Sequence, residues 1–449
     1  MKPLDPASSP LLTDLYQLTM LQAYAARNMT GSAVFELFVR KLPATRNYLL
    51  AAGLGTLLDW LQDLRFRDEE LDWVRRCGLF DAGFADWLRG LRFEGDVDAL
   101  EEGTPFFADE PLLRVTAPLP QAQLIESRLV NIVHYQTMVA SKAARCVLAA
   151  PGKRLIDFGL RRAHGADAGL AAARAAWIAG FDGTATALAG AAMDIPVFGT
   201  MAHSFVQAHA DESQAFETFA EVFPGNAVML IDTYDTEAGA RKVVALAQRL
   251  RERGIAVRGV RLDSGDLDAL SRSVRAILDA GGLREAILFA SGNLDEHRLQ
   301  ALVSAGASID AFGIGTALTT VGDAPSLDMV YKLQQYEGRP SRKRSAGKAT
   351  WPGPKQVWRW TDAQGRLLRD EVTLVHERRD AQPLLSAVMR AGRRLRADPP
   401  LEAIRARTRE QLQRLPAPLA GLAPAAAHPV LISDEVRALA DRVDREHGG

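Results

Sequence analysis

The side chains best suited to chemistry are concentrated in residues 157–165, where Arg161, Arg162 and His164 follow a short apolar run. Guanidinium groups bind carboxylates and phosphates through paired hydrogen bonds, so two adjacent arginines after a strand indicate a site for a small anion. A solvated arginine pair on a surface loop is the alternative. Later segments favour the binding site, because they carry matching groups directly after apolar runs of their own.

A second candidate is His203, which follows the apolar pair Val197 and Phe198. An imidazole in this position can act as an acid, a base or a nucleophile. A single histidine is also common as a structural or surface residue, and Glu212 is near enough in sequence to be its partner. His203 is therefore a candidate catalytic residue, and both interpretations stay open at this point.

Residues 260–267 combine an arginine, two carboxylates and a serine around one glycine. Arg261 can bind an anion, whereas Asp263 and Asp266 can hold a metal ion or the hydroxyl groups of a ribose. Ser264 or Asp266 could instead cap the helix that follows. Capping would account for one of these residues, but not for Arg261 and Asp263 together.

Residues 230–236 begin as a buried strand and continue into two acids, Asp232 and Asp235. These carboxylates are compatible with contacts to Mg²⁺ and a diphosphate, or to a ribose. Asp235 or Thr236 can equally cap a helix, and the sequence leaves that choice open.

Glycines and hydroxyl groups accompany two later apolar runs, with Ser291 and Gly292 in the first and Gly313, Gly315 and Thr316 in the second. Backbone N–H groups at such turns can hold a phosphate. In α/β barrels the phosphate site lies on the loops after the last strands, which favours phosphate over an ordinary turn. We therefore predict phosphate binding by these five residues.

A common scaffold must bring these segments together. Between residues 154 and 318, short apolar runs alternate with helical segments, one of which is rich in alanine and begins near Asp167. Six or seven such units predict parallel strands joined by crossover helices. An irregular parallel α/β barrel would place the carboxyl ends of its strands on one face. A doubly wound open sheet is the competing topology.

The flanking segments predict an additional α+β domain. Their predicted elements are a helix at 11–25, a strand at 32–40, a long helix at 121–143, a hairpin at 357–368 and a final helix from residue 434. We divide the chain into an N-terminal α+β domain (1–120), the barrel (121–330) and a C-terminal segment (331–449) that partly returns to the N-terminal domain.

Composition excludes several classes of protein. The 449 residues carry a formal charge of −1, so no overall field attracts nucleic acid or an anionic membrane. Cys77 and Cys146 are too few for a disulfide framework or a structural zinc site, and they fit a reducing compartment. The N-terminus lacks the apolar core of a signal peptide, and no run reaches about 18 apolar residues. We expect a soluble, cytoplasmic protein.

Six ordered motifs resemble those of the nicotinate phosphoribosyltransferases, a family of type II phosphoribosyltransferases. They lie at residues 12–17, 35–40, 157–165, 199–204, 261–266 and 313–316, with further similarity at 325–333 and 352–353. The resemblance implies a type II phosphoribosyltransferase-like barrel. It also implies synthesis of nicotinate mononucleotide and diphosphate from nicotinate and 5-phosphoribosyl-1-diphosphate, coupled to ATP hydrolysis, in NAD biosynthesis. Mg²⁺ is the implied cofactor.

The resemblance further implies roles for individual residues. ATP would phosphorylate His203 transiently, and Tyr16 would stack on the pyridine ring from the partner subunit of a head-to-tail homodimer. Thr200 and Arg261 would contact nicotinate. Asp263 matches a ribose or Mg²⁺ contact of the related nicotinamide enzyme.

The remaining implied contacts are to anions. Arg161 matches the strand-end arginine of the nicotinamide enzyme, so we assign it to the substrate, with Arg162 and His164 beside it. Gly313, Gly315 and Thr316 would hold the 5′-phosphate. A phosphorylated histidine also needs cations nearby, for which Arg161, Arg162 and Lys142 are candidates.

Three alternatives stay open. The nicotinamide-specific relative has one arginine in place of Arg161 and Arg162, and an aspartate where we expect Thr184. Quinolinate phosphoribosyltransferase is shorter and lacks the phosphorylated histidine. A non-catalytic homologue that senses ligands would be expected to lose His203 or the acids at 263 and 266, and this chain has both.

Overall fold

The structure is a computed structural model that describes Asp5 and residues 7–447. Residues 1–4, 6, 448 and 449, which the predicted terminal segments include, lie outside the described residues. The chain divides into two compact units, one made of Lys142–Asp323 and the other of the segments on either side. The boundaries predicted from the sequence are at residues 120 and 330.

The N-terminal part of the first unit has an antiparallel β framework with helices around it. Its helices are α1 (Leu15–Ala26), α2 (Leu54–Gln62), α3 (Asp68–Arg76), α4 (Phe84–Arg89), α5 (Leu119–Leu124) and α6 (Glu126–Ala149), the last of which continues into the second unit from Lys142 onward. Its strands are β1 (Ser32–Val39), β2 (Leu49–Leu50), β3 (Asp96–Ala99), β4 (Pro105–Phe106) and β5 (Pro111–Pro118). The long helix predicted at 121–143 is therefore two helices, interrupted at Ile125.

The second unit alternates strands and helices. The strands are β6 (Arg154–Asp157), β7 (Gly183–Thr184), β8 (Val228–Leu230), β9 (Gly259–Leu262), β10 (Ile287–Ala290) and β11 (Ala311–Ile314). The helices are α7 (Ala166–Ala179), α8 (Ala187–Met193), α9 (His203–Gln207), α10 (Glu212–Val222), α11 (Thr236–Glu252), α12 (Leu267–Ala280), α13 (Glu296–Ser304) and α14 (Thr316–Thr320). Short 3₁₀ turns occur at Leu160–Arg162 and Pro224–Asn226.

The C-terminal part of the first unit is mostly β-structure followed by helices. The strands are β12 (Met329–Tyr336), β13 (Arg339–Pro340), β14 (Lys355–Thr361), β15 (Leu367–Leu374), β16 (Gln382–Pro383), β17 (Ser386–Arg390), β18 (Arg393–Arg394) and β19 (Val430–Ile432). The helices are α15 (Leu401–Gln413), α16 (Ala417–Ala420) and α17 (Asp434–His447). The predicted hairpin is confirmed, because β14 pairs with β15 antiparallel.

The sheets of the first unit join its two halves. Seven strands lie in the order β13-β12-β1-β5-β3-β17-β18, so that N-terminal β1 pairs with C-terminal β12 and β3 pairs with β17. Smaller sheets have the orders β16-β14-β15-β19 and β2-β4. Non-local strand pairing of this kind means that neither half buries its apolar faces alone.

The second unit is built on a six-stranded parallel sheet in the order β7-β6-β11-β10-β9-β8. Buried residues dominate these strands, as expected where helices cover both faces. The predicted strand at 197–198 is only a bridge between Val197 and Thr184. Pro196, which has no N–H to donate, precedes it. Within the described residues no pairing joins β7 to β8, so closure into a barrel stays a prediction.

None of the helices in the described part of the chain combines the length and the apolar character that a bilayer crossing requires.

A buried carboxyl pair in the first unit predicts how stability depends on pH. Glu110 is fully buried, and burial together with the charge of Asp370 raises its pKa well above the usual value. A group whose pKa is raised in the folded state stabilises that state below its unfolded pKa, and the contribution is lost as the pH rises. We therefore expect the contribution of Glu110 to the free energy of unfolding to decrease from about pH 5 upward, by at most about 1.4 kcal/mol per pH unit.

Glu110→Gln should remove this dependence, because a neutral amide needs no proton to remain buried. The measurement is the midpoint of thermal unfolding between pH 5 and pH 9, with Glu410→Gln on an exposed face of α15 as the control. If the unfolding midpoints of wild type and Glu110→Gln change with pH in parallel, the pH dependence belongs to a group other than Glu110.

Candidate active site

A pocket of about 350 Å³ opens in the second unit, and its wall is formed largely by residues at or just beyond the carboxyl ends of strands. The wall consists of Phe158, Leu160, Arg161, Ala185, Gly199, Thr200, Met201, Ala202, His203, Leu230, Arg261 and Asp263. Parallel strands bring their carboxyl ends to one edge, which is why segments far apart in sequence meet here. The predicted site residues in this wall are Arg161, Thr200, His203, Arg261 and Asp263.

Arg261 on β9 is held by several contacts at once. Its Nε donates to Ser291 Oγ at 2.9 Å and its Nη2 to Asp263 Oδ1 at 2.9 Å. The guanidinium lies 5.2 Å from the centre of the Phe158 ring, and Nη1 is 3.5 Å from Thr200 Oγ1. Because two of its nitrogens are committed, the guanidinium keeps a fixed orientation as a cationic part of the pocket wall.

Asp263 is the carboxylate of the pocket. Ser291 Oγ also donates to its Oδ1, and its Oδ2 lies 3.8 Å from His203 Nε2. Burial favours the neutral form, but hydrogen bonds from Ser291 and the charge of Arg261 outweigh it and lower the pKa of Asp263. Asp263 is therefore ionised at neutral pH.

Ser291 and Gly292, both predicted to bind phosphate, lie against Asp263. The Ser291 hydroxyl is buried and engaged with Asp263 and Arg261. Gly292 has a positive φ of 96°, and a Cβ there would lie 2.1 Å from the carbonyl oxygen of Asp263. Only glycine permits this close approach of the two loops.

His203 is the first residue of α9, and its side chain is 39% exposed. Its Nδ1 lies 3.1 Å from Thr233 Oγ1. Glu212, considered from the sequence as its partner, is instead buried and bonded to Lys242 at 2.9 Å. The imidazole is thus anchored on one side and accessible to the pocket, as a nucleophile requires.

The two adjacent arginines occupy different places. Both belong to the 3₁₀ turn that follows β6, but Arg161 lines the pocket, whereas Arg162 and His164 are exposed outside its wall. Lys142 is buried and pairs with Glu296 and with Asp323, the latter at 2.9 Å. Lys142 is therefore already neutralised by two carboxylates.

Some of the acidic residues that follow β8 and β9 cap helices, and others do not. Asp235 accepts from the Ala238 N–H at 2.7 Å and caps α11. Asp266 accepts from the first backbone N–H groups of α12, so the predicted metal ligand at 266 acts as a helix cap. Asp232 differs, because its Oδ1 is buried without a hydrogen-bond partner.

A divalent cation fits this arrangement. Asp232 Oδ2 accepts from the backbone N–H of Asp263 at 2.8 Å, which holds the Asp232 carboxylate beside the backbone of Asp263 and leaves Asp232 Oδ1 without a hydrogen-bond partner among the described residues. No group of three or more His, Cys, Asp or Glu forms a cage among the described residues. Mg²⁺ usually binds one or two carboxylates together with substrate phosphates, so such a cage is not required.

The glycines near β11 have different roles. Gly313 lies under Phe158, whose ring would be 2.7 Å from a Cβ at this position. Gly315 precedes α14, and Thr316, the first residue of that helix, is exposed. Gly313 therefore makes room for an aromatic wall of the pocket.

Gly313→Ala should be destabilising. The added methyl group would meet the rings of Phe158 and Phe289 at 2.7 and 3.0 Å, and overpacking of this kind costs about 1–3 kcal/mol. Unfolding in urea measures the effect. Gly225→Ala is the control, because its methyl group would meet nothing within 4 Å. Equal free energies of unfolding for the two variants would show that the Phe158 ring moves aside without loss of stability.

Phe158, Ala185 and Thr233 are site residues that the sequence did not single out. Thr184, expected at a position that discriminates between substrates, is fully buried, and the pocket is lined by Ala185 instead. Side chains of neighbouring residues in an extended chain face opposite sides. A position that is wrong by one residue therefore places the buried side chain in the pocket and the pocket side chain in the interior. An aromatic residue directly after a strand was the available signal for Phe158.

Tyr16 belongs to the first unit. It lies on α1, is 49% exposed, and its hydroxyl is 3.5 Å from Glu126 Oε2. Leu12 and Leu15 nearby are 44% and 48% exposed. All three side chains are therefore exposed.

Comparison with known proteins gives a consistent result along the chain. Family models for nicotinate phosphoribosyltransferase match residues 11–134 (N-terminal domain), 153–343 (the family itself) and 375–440 (C-terminal domain). Nicotinate phosphoribosyltransferase pncB2 of Mycobacterium tuberculosis is 47% identical over 95% of this chain and 92% of its own length. The Bacillus subtilis nicotinate phosphoribosyltransferase is 42% identical over 78% of this chain and 73% of its own length.

A solved structure has the same fold. The crystal structure of human nicotinic acid phosphoribosyltransferase superposes with a TM-score of 0.87 at 30% identity, and covers 96% of this chain and 99% of that one. The similarity therefore extends over both units and is not confined to the pocket.

Proposed function

Because this chain belongs to the nicotinate phosphoribosyltransferase family, we propose that it converts nicotinate and 5-phosphoribosyl-1-diphosphate to nicotinate mononucleotide and diphosphate. The pocket of the second unit carries this proposal, because Arg161 and Arg261 lie in a wall that is otherwise largely apolar, with the ring of Phe158 among its members. A flat aromatic acid matches that combination of an apolar wall and fixed cations.

The charge of the pocket favours nicotinate over nicotinamide. Arg261 is already bonded to Asp263 and Ser291, and Thr200 lies beside its third nitrogen. A carboxylate can accept from such a guanidinium with both oxygens, whereas a neutral amide offers one acceptor and leaves a desolvated donor unpaired. The alternative of a nicotinamide-specific enzyme is therefore less favoured.

The phosphoribosyl group would lie beside the carboxylates. Asp232 and Asp263 would hold Mg²⁺, which neutralises the charge of the departing diphosphate when it is bound. Ionised Asp263 also stabilises positive charge that develops at the anomeric carbon as the bond to diphosphate breaks. Gly315 and Thr316 are the proposed 5′-phosphate contacts, with Gly313 making room for Phe158 and with Ser291 and Gly292 supporting Asp263.

The ring nitrogen of nicotinate is the nucleophile. The walls formed by Phe158 and Ala185 would hold the ring so that this nitrogen approaches the anomeric carbon opposite the leaving diphosphate. Orientation of two bound reactants in this way contributes much of the rate enhancement in such displacements.

We also propose that ATP phosphorylates His203. An imidazole nitrogen forms a bond to the γ-phosphorus while the bond to the β–γ bridging oxygen breaks and ADP leaves, and water later hydrolyses the phosphohistidine. The exposure of His203 to the pocket and its anchor to Thr233 support this role. Arg161, which lines the same pocket as His203, is the proposed cation for the phosphoryl group, whereas Arg162 on the same turn lies outside the pocket wall. Lys142 is already paired with carboxylates.

A homodimer is part of the proposal, with Tyr16 of one copy stacking on the pyridine ring in the pocket of the other. Exposed apolar side chains support it, namely Leu12, Leu15 and Tyr16 near α1, and Val197, Phe198, Val222, Phe223 and Tyr234 in the second unit. Mixing Tyr16→Ala and His203→Ala chains tests it. If Tyr16 acts in the pocket of the partner, a mixed dimer has one intact site, and ATP-coupled activity should recover. Without recovery, Tyr16 would act in the pocket of its own chain or in neither pocket.

A reducing, cytoplasmic compartment is likewise proposed. Cys77 and Cys146 are unpaired, which is typical of such a compartment. Fractionation of cells that produce the protein tests the location, and recovery outside the cytoplasm would reject it.

Product analysis separates the enzyme functions. The purified protein is incubated with 5-phosphoribosyl-1-diphosphate, Mg²⁺ and either nicotinate or nicotinamide, with and without ATP, and nucleotides and diphosphate are quantified. We expect nicotinate mononucleotide, stimulated by ATP. Nicotinamide mononucleotide as the main product would favour the nicotinamide-specific alternative, and binding without any product would favour the ligand sensor.

A further inference from the structure

We propose that Asp157 is a positioning residue, whose carboxylate fixes two neighbouring loops of the nicotinate pocket relative to one another. Asp157 ends β6, is 1% exposed and is absent from the pocket wall. It therefore acts through its neighbours and does not itself touch substrate. The inference rests on the proposed function, because it concerns the same pocket.

The carboxylate joins two loops by hydrogen bonds. Oδ1 accepts from the Gly159 N–H at 2.8 Å, and Oδ2 accepts from the Thr184 hydroxyl at 2.7 Å. The Thr184 oxygen in turn accepts from the Thr186 N–H at 3.0 Å. One side chain thus links the turn after β6 to the loop after β7.

Both loops carry pocket residues. Phe158 and Arg161 lie on either side of Gly159 in the first loop, and Ala185 lies between Thr184 and Thr186 in the second. The hydrogen bonds therefore hold the backbone directly beside the aromatic ring, the arginine and the small residue that would enclose nicotinate. Displacement of one loop relative to the other would change the spacing between Phe158 and Arg161 on the first loop and Ala185 on the second.

Side chains also pack closely around the backbone of the first loop at Gly159. A Cβ at Gly159 would lie 2.9 Å from the Thr319 side chain and 3.0 Å from Asp157 Oδ1. Burial raises the pKa of Asp157, while the hydrogen bonds from Thr184 and Gly159 oppose that effect. An apolar side chain at this position would avoid the cost of burying a carboxyl group. The presence of the carboxyl group therefore indicates that the Gly159 N–H and the Thr184 hydroxyl need two hydrogen-bond acceptors.

The direction of the hydrogen bonds explains why asparagine cannot replace the carboxylate. Thr184 already accepts from Thr186, so its own proton must go to an acceptor. An amide can accept from Gly159 with its oxygen, but its NH₂ group then faces the Thr184 hydroxyl, and the hydroxyl proton loses its partner.

The test compares kcat and KM for each substrate in Asp157→Asn, Thr184→Val and Thr184→Ser. We expect the first two to raise the nicotinate KM about tenfold or more, with kcat changed less than about threefold, since misplacement of binding groups weakens substrate contacts at a distance. Thr184→Ser keeps the hydroxyl and should restore the wild-type KM. The KM for 5-phosphoribosyl-1-diphosphate should change little.

Ser271→Ala is the control, because it removes another buried hydroxyl of the second unit, one that bonds to Asp268 and Ser308 away from the pocket. A nicotinate KM equal to wild type in folded Thr184→Val would overturn the proposal, as would a rise of the same size in Ser271→Ala. If Asp157→Asn does not fold, the Val and Ser variants at 184 decide the outcome. Wild type without nicotinate turnover would instead reject the proposed function.

Discussion

Replacement of His203 by alanine should abolish the ATP stimulation of nucleotide synthesis and leave a slow transfer that is independent of ATP. The nitrogen that would accept the phosphoryl group is lost, whereas Arg261 and Asp263 do not require the imidazole to keep their mutual 2.9 Å contact. Without a residue to accept the phosphoryl group, we expect the ratio of the rates with and without ATP to be about one.

Two measurements check this prediction. The first is the initial rate of nicotinate mononucleotide formation with and without ATP, and the second is retention of ³²P on the protein from γ-labelled ATP. His209→Ala is a matched control, because this histidine lies close by in the chain, its Nδ1 is 2.7 Å from the Phe205 carbonyl oxygen, and it does not line the pocket. Equal ATP stimulation of His203→Ala and wild type would remove His203 from the proposed role.

Arg261→Ala should chiefly raise the nicotinate KM, by about 100-fold. Loss of a buried, charge-assisted contact costs about 2–5 kcal/mol, and about 1.4 kcal/mol corresponds to a factor of ten. The substitution also removes a donor from Asp263, so we expect a smaller rise in the KM for 5-phosphoribosyl-1-diphosphate. Steady-state kinetics with each substrate varied in turn measures both effects.

Arg261→Lys tests geometry separately from charge. A lysine keeps the cation but cannot bond to Ser291, Asp263 and a carboxylate at once, so its nicotinate KM should lie between those of wild type and alanine. Arg298→Ala, an exposed arginine on α13, is the control for loss of a positive charge. A wild-type nicotinate KM in Arg261→Ala would reject the contact.

Much of the second unit could be predicted because its pattern is local. Apolar runs of the length of a strand, each followed by a helical segment, predicted β6, β8, β10 and β11, and the structure confirms them. The run at 197–198 was predicted as a strand and forms only one bridge, because Pro196 removes a hydrogen-bond donor from the ladder. The break at Ile125 between α5 and α6 was equally hidden, since the apolar spacing continues across it.

The candidate site was predictable in its residue types and less so in its geometry. Residues after strands were singled out together, and Arg161, His203 and Asp263 do line one pocket. Asp235 and Asp266 look the same in sequence as Asp232 but cap helices. Whether a carboxylate caps or faces a ligand depends on backbone angles at the helix start, which the residue type alone does not specify.

The sequence by itself determined the family, the parallel arrangement of repeated strand–helix units, and the anionic character of the ligand, because these depend on residue order, apolar spacing and charge. Only the tertiary structure decided which neighbour of each pair faces the pocket, Arg161 and not Arg162, and Ala185 and not Thr184. It also decided that Asp235 caps a helix, whereas Asp232 accepts from the backbone of Asp263. The physical reason is that adjacent side chains point in different directions, and packing of distant segments selects one of them.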